Sequence, residues 1–282
     1  MRAASPGYIA RVAARPITFL SDYGYEDEFA GVCRAVIALV APEARLIDLT
    51  HGVPRHDVRR GALTLADALP YAPAGVHLAI VDPGVGTERR AVAIRVATED
   101  RVLVGPDNGL LWPAVQALGG ALEVVDLDRS PFRLEPVSAT FHGRDLFAPA
   151  AAALALGAAL AEVGHAVETG SLVRLDLPSP RSEPDRLTVD VLHLDRFGNA
   201  TLNAGARDLA GGTLRPGHAL SVEVGGRSLG ATFARTFADV GEGDVIVFED
   251  SSGRLALAVN RGSAAEMLEV APGDEVAIVV AR

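Results

Sequence analysis

The sequence predicts an α/β N-terminal domain with a mostly parallel sheet, followed by a small all-β, barrel-like C-terminal domain. Up to about residue 175, short apolar runs typical of buried strands alternate with segments of helical spacing. From about residue 187, short strand-like runs are separated by glycine-bearing turns. The length of 282 residues suits one domain of about 160 residues and one of about 100.

The N-terminal elements follow from hydrophobic periodicity and from the residues that interrupt it. Strands are predicted, in chain order, at residues 17–20, 46–49, 77–81, 91–96, 101–104 and 122–127. Helices are predicted at residues 27–39, 57–69, 110–118 and 144–160, with Asp57 as a candidate N-cap of the second. This alternation indicates a mostly parallel sheet that is covered on both faces.

The domain boundaries come from changes in composition along the chain. Residues 1–16 are predicted to be a flexible extension, and residues 17–175 form the α/β domain. The proline-rich stretch 176–186 is the predicted linker. The all-β domain takes residues 187–282, with strands predicted at 187–194, 219–224, 245–249, 255–259 and 275–280.

Composition excludes or disfavours several function classes. The formal net charge of −10 disfavours a duplex nucleic-acid partner, which usually needs a basic face. All 26 basic residues are arginine, which excludes a lysine Schiff base and a Walker-type lysine. The single cysteine, Cys33, excludes an internal disulfide and disfavours a cysteine zinc site. The apolar run 150–161 is too short to span a bilayer, and residues 1–16 lack a signal-peptide core, so no membrane partner and a cytoplasmic location are expected.

Polar residues follow several of the predicted strands, and ligands of open α/β sheets bind just beyond the carboxyl ends of strands. Asp22, in the segment S-D-Y-G, can accept hydrogen bonds from a ribose diol, or it can form part of a helix-capping turn. Asp82 and Arg89, in V-D-P-G-V-G-T-E-R-R, are spaced so that the arginine can fold back beside the carboxylate. A hairpin with a surface ion pair is the alternative for that segment.

Three further segments carry candidate site residues. Asn108, in G-P-D-N-G, stands between a strand and a helix, where an N-cap is the simpler role. His142, in T-F-H-G-R-D, can serve as a base, an acid or an orienting donor, or as a structural histidine. In D-R-F-G-N, Phe197 can stack on an aromatic base and Asn199 can bond its edge, or the segment is a hairpin turn with a core phenylalanine.

Together, these five blocks resemble the S-adenosyl-L-methionine hydroxide adenosyltransferase family, relatives of the fluorinating and chlorinating enzymes that attack the same substrate. The resemblance runs from about residue 17 to the C-terminus. It implies hydrolysis of S-adenosyl-L-methionine to adenosine and L-methionine, by attack of water or hydroxide on C5′. It also implies no cofactor, no metal, and a homotrimer whose sites lie between the N-terminal domain of one subunit and the C-terminal domain of its neighbour.

The resemblance assigns roles to particular residues. It implies that Asp82, Arg89 and His142 hold the attacking water, and it leaves open whether Asp82 or His142 accepts the proton. It implies that Asp22 contacts the ribose. The remaining substrate-binding candidates that it implies are Asn108, Phe141, Gly143, Asp195, Phe197, Asn199, Ser251 and Asn260.

Three alternatives are weighed against hydrolysis. The first is a halogenase on the same scaffold, but the fluorinating enzymes carry a serine in place of Gly143 and a tyrosine in place of Asp82. A carboxylate at residue 82 repels a halide and suits water beside a cationic substrate, which favours hydrolysis. The second is a non-catalytic sensor that binds the substrate and leaves it intact. The third, a metal-dependent phosphoesterase using Asp22, Asp82 and His142, is disfavoured because no paired metal cluster is visible.

Overall fold

The computed structural model describes residues 13–209, 211 and 214–281. Most of the predicted flexible extension, up to residue 12, therefore lies outside the described residues. Arg15 is held at the surface of the first domain, because its backbone N–H donates to the Ala155 carbonyl at 2.8 Å. The chain divides into two compact units, the first ending at Leu175 and the second beginning at Asp176.

The first unit contains a seven-stranded sheet in the order β2-β1-β3-β5-β4-β6-β7. Its strands are β1 Ile17–Ser21, β2 Leu46–Thr50, β3 Val76–Ile80, β4 Ala91–Val96, β5 Val102–Pro106, β6 Ala121–Asp126 and β7 His165–Val167. The neighbours β2, β1, β3 and β5 are parallel, which confirms the predicted mostly parallel sheet.

Strand β4 departs from the parallel arrangement and pairs antiparallel with both β5 and β6. Only residues 97–101 separate β4 from β5. A parallel connection needs a crossover of about a dozen residues or more, whereas a short loop produces a hairpin. Strand β7, which the periodicity does not predict, pairs antiparallel with β6 at the sheet edge.

Helices cover both faces of this sheet. They are α1 Phe29–Val40, α2 Val58–Ala68, α3 Trp112–Ala117, α4 Ala148–Ala155 and α5 Leu160–Val163. On one face α1 and α4 pack together in the core that contains Phe19 and Cys33, and on the other α2 and α3 pack in the core that contains Leu20. The Asp57 side chain accepts from the Arg60 N–H at 2.8 Å, which confirms it as the N-cap of α2.

The helix predicted at 144–160 is interrupted in the structure. It begins with a π-helical turn, Gly143–Phe147, and continues as α4. Gly157 has φ +99°, a left-handed conformation that commonly ends a helix. The wide first turn lies directly beside His142, and π-helical turns are frequent at functional sites.

The second unit is a closed seven-stranded β-barrel, which confirms the predicted all-β domain. The seven barrel strands are β9 Arg186–Leu194, β10 Ala200–Leu202, β11 Ala219–Val224, β12 Arg227–Phe233, β13 Val245–Glu249, β14 Leu255–Val259 and β15 Glu275–Val280, and they are preceded by the short strand β8 Arg181–Glu183. Pairing of β10 with both β14 and β9 closes the barrel, and β8 extends it at β9. Strand β8 lies within the predicted linker, and a short helix, α6 Ala264–Leu268, follows β14.

In the part of the chain that the structure describes, no helix is both long and apolar enough to cross a membrane.

Candidate active site

A cavity of about 660 Å³ opens at the carboxyl ends of the first parallel strands of the N-terminal unit. Asp22 directly follows β1, His51 directly follows β2, and Asp82 comes two residues after β3. Because these strands are parallel neighbours, their carboxyl ends meet at one edge of the sheet, where open α/β folds bind ligands. Phe141, His142 and Gly143, at the start of the π-helical turn, line the same cavity.

Asp82, Arg89 and His142 form one hydrogen-bonded cluster beside this cavity. Arg89 donates through Nε to Asp82 Oδ1 at 3.0 Å and through Nη2 to Asp82 Oδ2. The same Nη2 lies 3.1 Å from His142 Nδ1. The Asp82 and Arg89 side chains are each 7% exposed, and the guanidinium also lies over the Phe147 ring, 5.3 Å from its centroid. The structure thus brings together the three residues predicted to hold water.

The turn between Asp82 and Arg89 allows this pairing. Gly86 has φ +78°, and a Cβ at this residue would lie 2.4 Å from the Ala139 carbonyl oxygen. A side chain at residue 86 would therefore strain the backbone and push the turn away from the segment that leads to His142. Glycine at this residue lets two distant segments of the chain approach each other.

The hydrogen bond to Arg89 fixes the protonation of His142. A guanidinium carries only donors, so His142 Nδ1 must accept, and the proton of a neutral ring then sits on Nε2. Burial lowers the pKa of His142, and the positive charge of Arg89 lowers it further. The ring is therefore neutral near pH 7 and presents an N–H donor at Nε2. Arg89 Nη1 is also buried and has no hydrogen-bond partner among the described residues, so the cluster retains an unused donor.

The loop after β1 is held by a buried polar chain. Ser21 Oγ lies 2.7 Å from His51 Nδ1, and both residues are fully buried. His51 Nε2 lies 3.4 Å from Asp48 Oδ1. Asp22 Oδ2 accepts from the His56 N–H at 2.9 Å. These contacts hold the Asp22 carboxylate at the cavity.

Aromatic side chains form another wall of the cavity. Phe141 packs edge-on against Tyr23 and Phe29, with ring centroids 6.0 and 5.1 Å away. Tyr23 and His51 line the cavity but are absent from the predicted site. The rule that identifies Asp22 and Asp82, a polar residue just past a strand end, applies equally to His51 after β2.

Asn108 has a structural role and does not line this cavity. Its Nδ2 donates to the Val81 carbonyl at 2.9 Å, and its Oδ1 accepts from the Leu110 N–H at 3.1 Å. The amide therefore braces the backbone next to Asp82, and its predicted contact with substrate stays a prediction.

The other predicted contacts lie in the second unit. Asp195 Oδ1 accepts from the backbone N–H groups of Phe197 and Asn199 at 2.8 and 2.9 Å, and Asp195 Oδ2 accepts from Asn199 Nδ2 at 2.7 Å. Asp195 therefore organises a turn that leaves the Phe197 ring 71% exposed. Ser251 is exposed in the turn between β13 and β14, and Asn260 Nδ2 donates to the Val240 carbonyl at 2.9 Å. Substrate binding by these residues stays a prediction.

Metal ligands are usually clustered side chains of histidine, cysteine, aspartate and glutamate. Within residues 13–209, 211 and 214–281, no group of three or more such side chains is arranged to hold a metal ion. Two carboxylates of the cavity bind other groups of the protein: Asp82 accepts from Arg89, and Asp22 accepts from the His56 N–H.

Comparison with known proteins gives relatives along nearly the whole chain. Residues 17–164 match the SAM hydroxide adenosyltransferase N-terminal domain, and residues 189–277 match the C-terminal domain of the same family. A protein from Salinispora tropica named (R)-S-adenosyl-L-methionine hydrolase is 51% identical over 263 residues, which cover 93% of this chain and 97% of that protein.

More distant relatives include halogenating enzymes. A fluorinase from Nocardia brasiliensis is 30% identical over 295 residues, covering 94% of this chain and 97% of the fluorinase.

A crystal structure of an uncharacterized conserved protein from Thermotoga maritima superposes with a TM-score of 0.87 at 35% identity, covering 93% of this chain and 99% of that one. With both domain models matched in order and a relative at 51% identity, the chain belongs to the SAM hydroxide adenosyltransferase family.

Proposed function

We propose that this protein hydrolyses S-adenosyl-L-methionine to adenosine and L-methionine. The observation that carries the proposal is the Asp82–Arg89–His142 cluster, which places an oriented carboxylate, a fixed positive charge and a neutral imidazole beside one cavity. The proposal agrees with the name of the Salinispora tropica relative, (R)-S-adenosyl-L-methionine hydrolase.

The substrate is a sulfonium, so its C5′ carbon is already activated for displacement. A water oxygen forms a bond to C5′ while the C5′–S bond breaks and its electron pair returns to sulfur. The leaving group is the neutral thioether of methionine, and the water loses one proton. The protein has to hold the water in line with the C5′–S bond and accept that proton.

The geometry of the cluster supports a division of roles. His142 donates from Nε2 to the water oxygen and orients it, because its Nδ1 is occupied by Arg89. Arg89 stays protonated at any working pH and stabilises negative charge that develops on the attacking oxygen. Asp82 accepts the proton, since a carboxylate has lone pairs beyond the two that Arg89 engages.

Water is favoured over halide by the charge at the nucleophile end of the cavity. Asp82 lines the cavity, and a carboxylate there repels a halide anion. Gly143 also lines the cavity, and a Cβ at this residue would lie 2.2 Å from Tyr23 Oη. The serine that the fluorinating enzymes carry at this position therefore does not fit unless Tyr23 moves.

The remaining parts of the proposal concern metal, assembly and location. Displacement of a neutral thioether needs no Lewis acid, so we propose a reaction without metal or cofactor. The homotrimer and the cytoplasmic location stay predictions.

The 71% exposed Phe197 ring fits a role in an assembly, because an exposed aromatic side chain can stack on a ligand held by a neighbouring subunit. Light scattering that shows a stable, fully active monomer would contradict the trimer.

The test is incubation of the purified protein with S-adenosyl-L-methionine, with and without a chelator and with added chloride or fluoride. Equimolar adenosine and methionine, unaffected by the chelator, are expected. Asp82→Ala, Arg89→Ala and His142→Ala should each lower turnover by at least ~10²-fold, the usual scale for positioned acid–base groups. A halogenated nucleoside would show a halogenase, and bound but intact substrate would show a sensor.

A further inference from the structure

Tyr23 is a cavity residue whose hydroxyl has no hydrogen-bond partner among the described residues. Its backbone N–H donates to Ser21 Oγ at 3.3 Å, and its ring packs against Phe29 and Phe141. The hydroxyl is the polar end of a side chain that lines the same cavity as Asp82, His142 and Gly143. A tyrosine hydroxyl can both donate and accept a hydrogen bond, so this one is suited to bind a ligand or a water molecule.

The position of the hydroxyl follows from its contact with Gly143. A Cβ at residue 143 would lie 2.2 Å from Tyr23 Oη, 3.2 Å from Tyr23 Cζ and 3.2 Å from Cys33 Sγ. The hydroxyl thus occupies the space that a side chain at residue 143 would need. Because Gly143 directly follows His142, the Tyr23 oxygen lies at the end of the cavity where the cluster lies.

The chemistry of Tyr23 suits a neutral hydrogen-bonding group. Burial raises the pKa of Tyr23 well above its ordinary value, and the neighbouring charges of Asp22 and Asp82 act in the same direction. The hydroxyl therefore keeps its proton and can both donate and accept. The Asp82 and Arg89 charges that act on it belong to the cluster proposed to hold water.

We propose that the Tyr23 hydroxyl binds the nucleophilic water together with Asp82, Arg89 and His142, and that glycine at residue 143 leaves the hydroxyl room to do so. Tyr23 is then a catalytic residue, because it touches the attacking atom, and Gly143 sets the nucleophile pocket through its lack of a side chain. This inference rests on the proposed hydrolysis of S-adenosyl-L-methionine.

The first test is Tyr23→Phe, which removes only the hydroxyl. We expect kcat to fall at least ~10-fold with KM within about twofold of wild type, because a group that binds only the nucleophile acts on the chemical step. Tyr25→Phe is the matched control, since Tyr25 lies in the same loop, is 67% exposed and should leave both constants unchanged. An unchanged kcat for Tyr23→Phe, or a raised KM alone, overturns the proposal.

The second test pairs the two residues. Gly143→Ala should lower the melting temperature and the activity, because its Cβ collides with the Tyr23 hydroxyl. In Tyr23→Phe/Gly143→Ala the nearest remaining atoms lie at 3.2 Å, a mild overlap in place of a collision, so part of the lost stability should return while kcat stays low. A double variant that is no more stable than Gly143→Ala overturns the proposed collision between a side chain at residue 143 and the Tyr23 hydroxyl.

The wild-type protein separates failure of this inference from failure of the function. Wild type that leaves S-adenosyl-L-methionine intact overturns both the hydrolase and the role of Tyr23. If the wild-type protein hydrolyses S-adenosyl-L-methionine and Tyr23→Phe does so at the same rate, only the role of Tyr23 is overturned.

Discussion

Replacement of Asp82 by asparagine tests the cluster most directly. Asparagine has nearly the same shape, keeps one acceptor oxygen and places an NH₂ group where the second oxygen was. One of the two Arg89 donors, Nε or Nη2, then faces another donor, and the guanidinium loses its countercharge. Both side chains are 7% exposed, so solvent compensates little of this loss.

The expected size of the effect follows from this burial. Removing one partner of a buried ion pair costs ~3–5 kcal/mol, and because asparagine keeps one acceptor oxygen, we expect a loss of about 3 kcal/mol in the free energy of unfolding. A domain of this size loses about 2–4 °C per kcal/mol, so the melting temperature should fall by roughly 6–12 °C. Turnover should fall by at least ~10²-fold, because the proton acceptor is gone.

A matched control separates lost stability from lost chemistry. Asp107 forms the neighbouring pair with Arg90, at 2.9 Å to Nε, and its side chain is only 3% exposed. Asp107 does not line the cavity. Asp107→Asn should therefore lower the melting temperature by a similar amount. Its turnover, measured well below that temperature, should stay within about threefold of wild type.

The assay is the rate of adenosine release at 25 °C, with folding checked by circular dichroism. Equal loss of turnover in folded Asp82→Asn and folded Asp107→Asn would refute the reasoning. Activity would then depend on the stability of this region and not on the Asp82 carboxylate. Wild-type turnover in Asp82→Asn would remove Asp82 as the proton acceptor.

Three further predictions concern pH and the second unit. Because burial and Arg89 lower the pKa of His142, kcat/KM should fall on the acid side with an inflection below 6.5, and an inflection above 6.5 would contradict the lowered pKa. Burial lowers the pKa of His77 from 6.5 to about 3, so between these pH values the unfolded state binds more protons than the folded state. Stability should therefore fall as the pH is lowered, by about 3 kcal/mol between pH 7 and pH 4. A urea midpoint that is constant between pH 7 and pH 4 would oppose that expectation. Phe197→Ala should raise KM with the free energy of unfolding unchanged within about 0.5 kcal/mol, since the ring is 71% exposed. Tyr71→Ala, at an 83% exposed tyrosine, is its control and should leave KM unchanged.

Much of the fold can be read from the sequence because its signals are local. The strands β1 and β3 are buried throughout and mostly apolar in sequence, and Asp57 before α2 has the side chain of an N-cap, which its hydrogen bond to the Arg60 N–H confirms. Strand β12 is harder to predict, because Gly230 interrupts its hydrophobic pattern. Its extended conformation depends on pairing with β11 and β13, which the local sequence does not reveal.

The candidate site likewise contains residues that the sequence predicts and contacts that only the folded structure shows. Asp22 and Asp82 can be predicted because a residue just past a parallel strand lies at the ligand edge of the sheet. The contact between Tyr23 and Gly143 cannot, since it joins segments far apart in the chain and depends on how α1 and the π-helical turn pack. Asn108 carries a polar side chain at a strand end too, yet its amide is used by the backbone, and only the folded structure reveals this.

The charge of the cavity connects the proposed substrate with the proposed product release. Among the described residues, four carboxylates line it, those of Asp22, Glu26, Asp27 and Asp82, against one guanidinium, that of Arg55. Asp82 is paired with Arg89, so the other three carboxylates leave the cavity with an excess of negative charge. Such a surface attracts a sulfonium that also carries an ammonium group, and it disfavours anionic nucleophiles. Hydrolysis removes the sulfonium charge, because adenosine is neutral and methionine is a zwitterion. The electrostatic attraction that binds the substrate therefore weakens at the moment the C5′–S bond breaks, which favours release of both products.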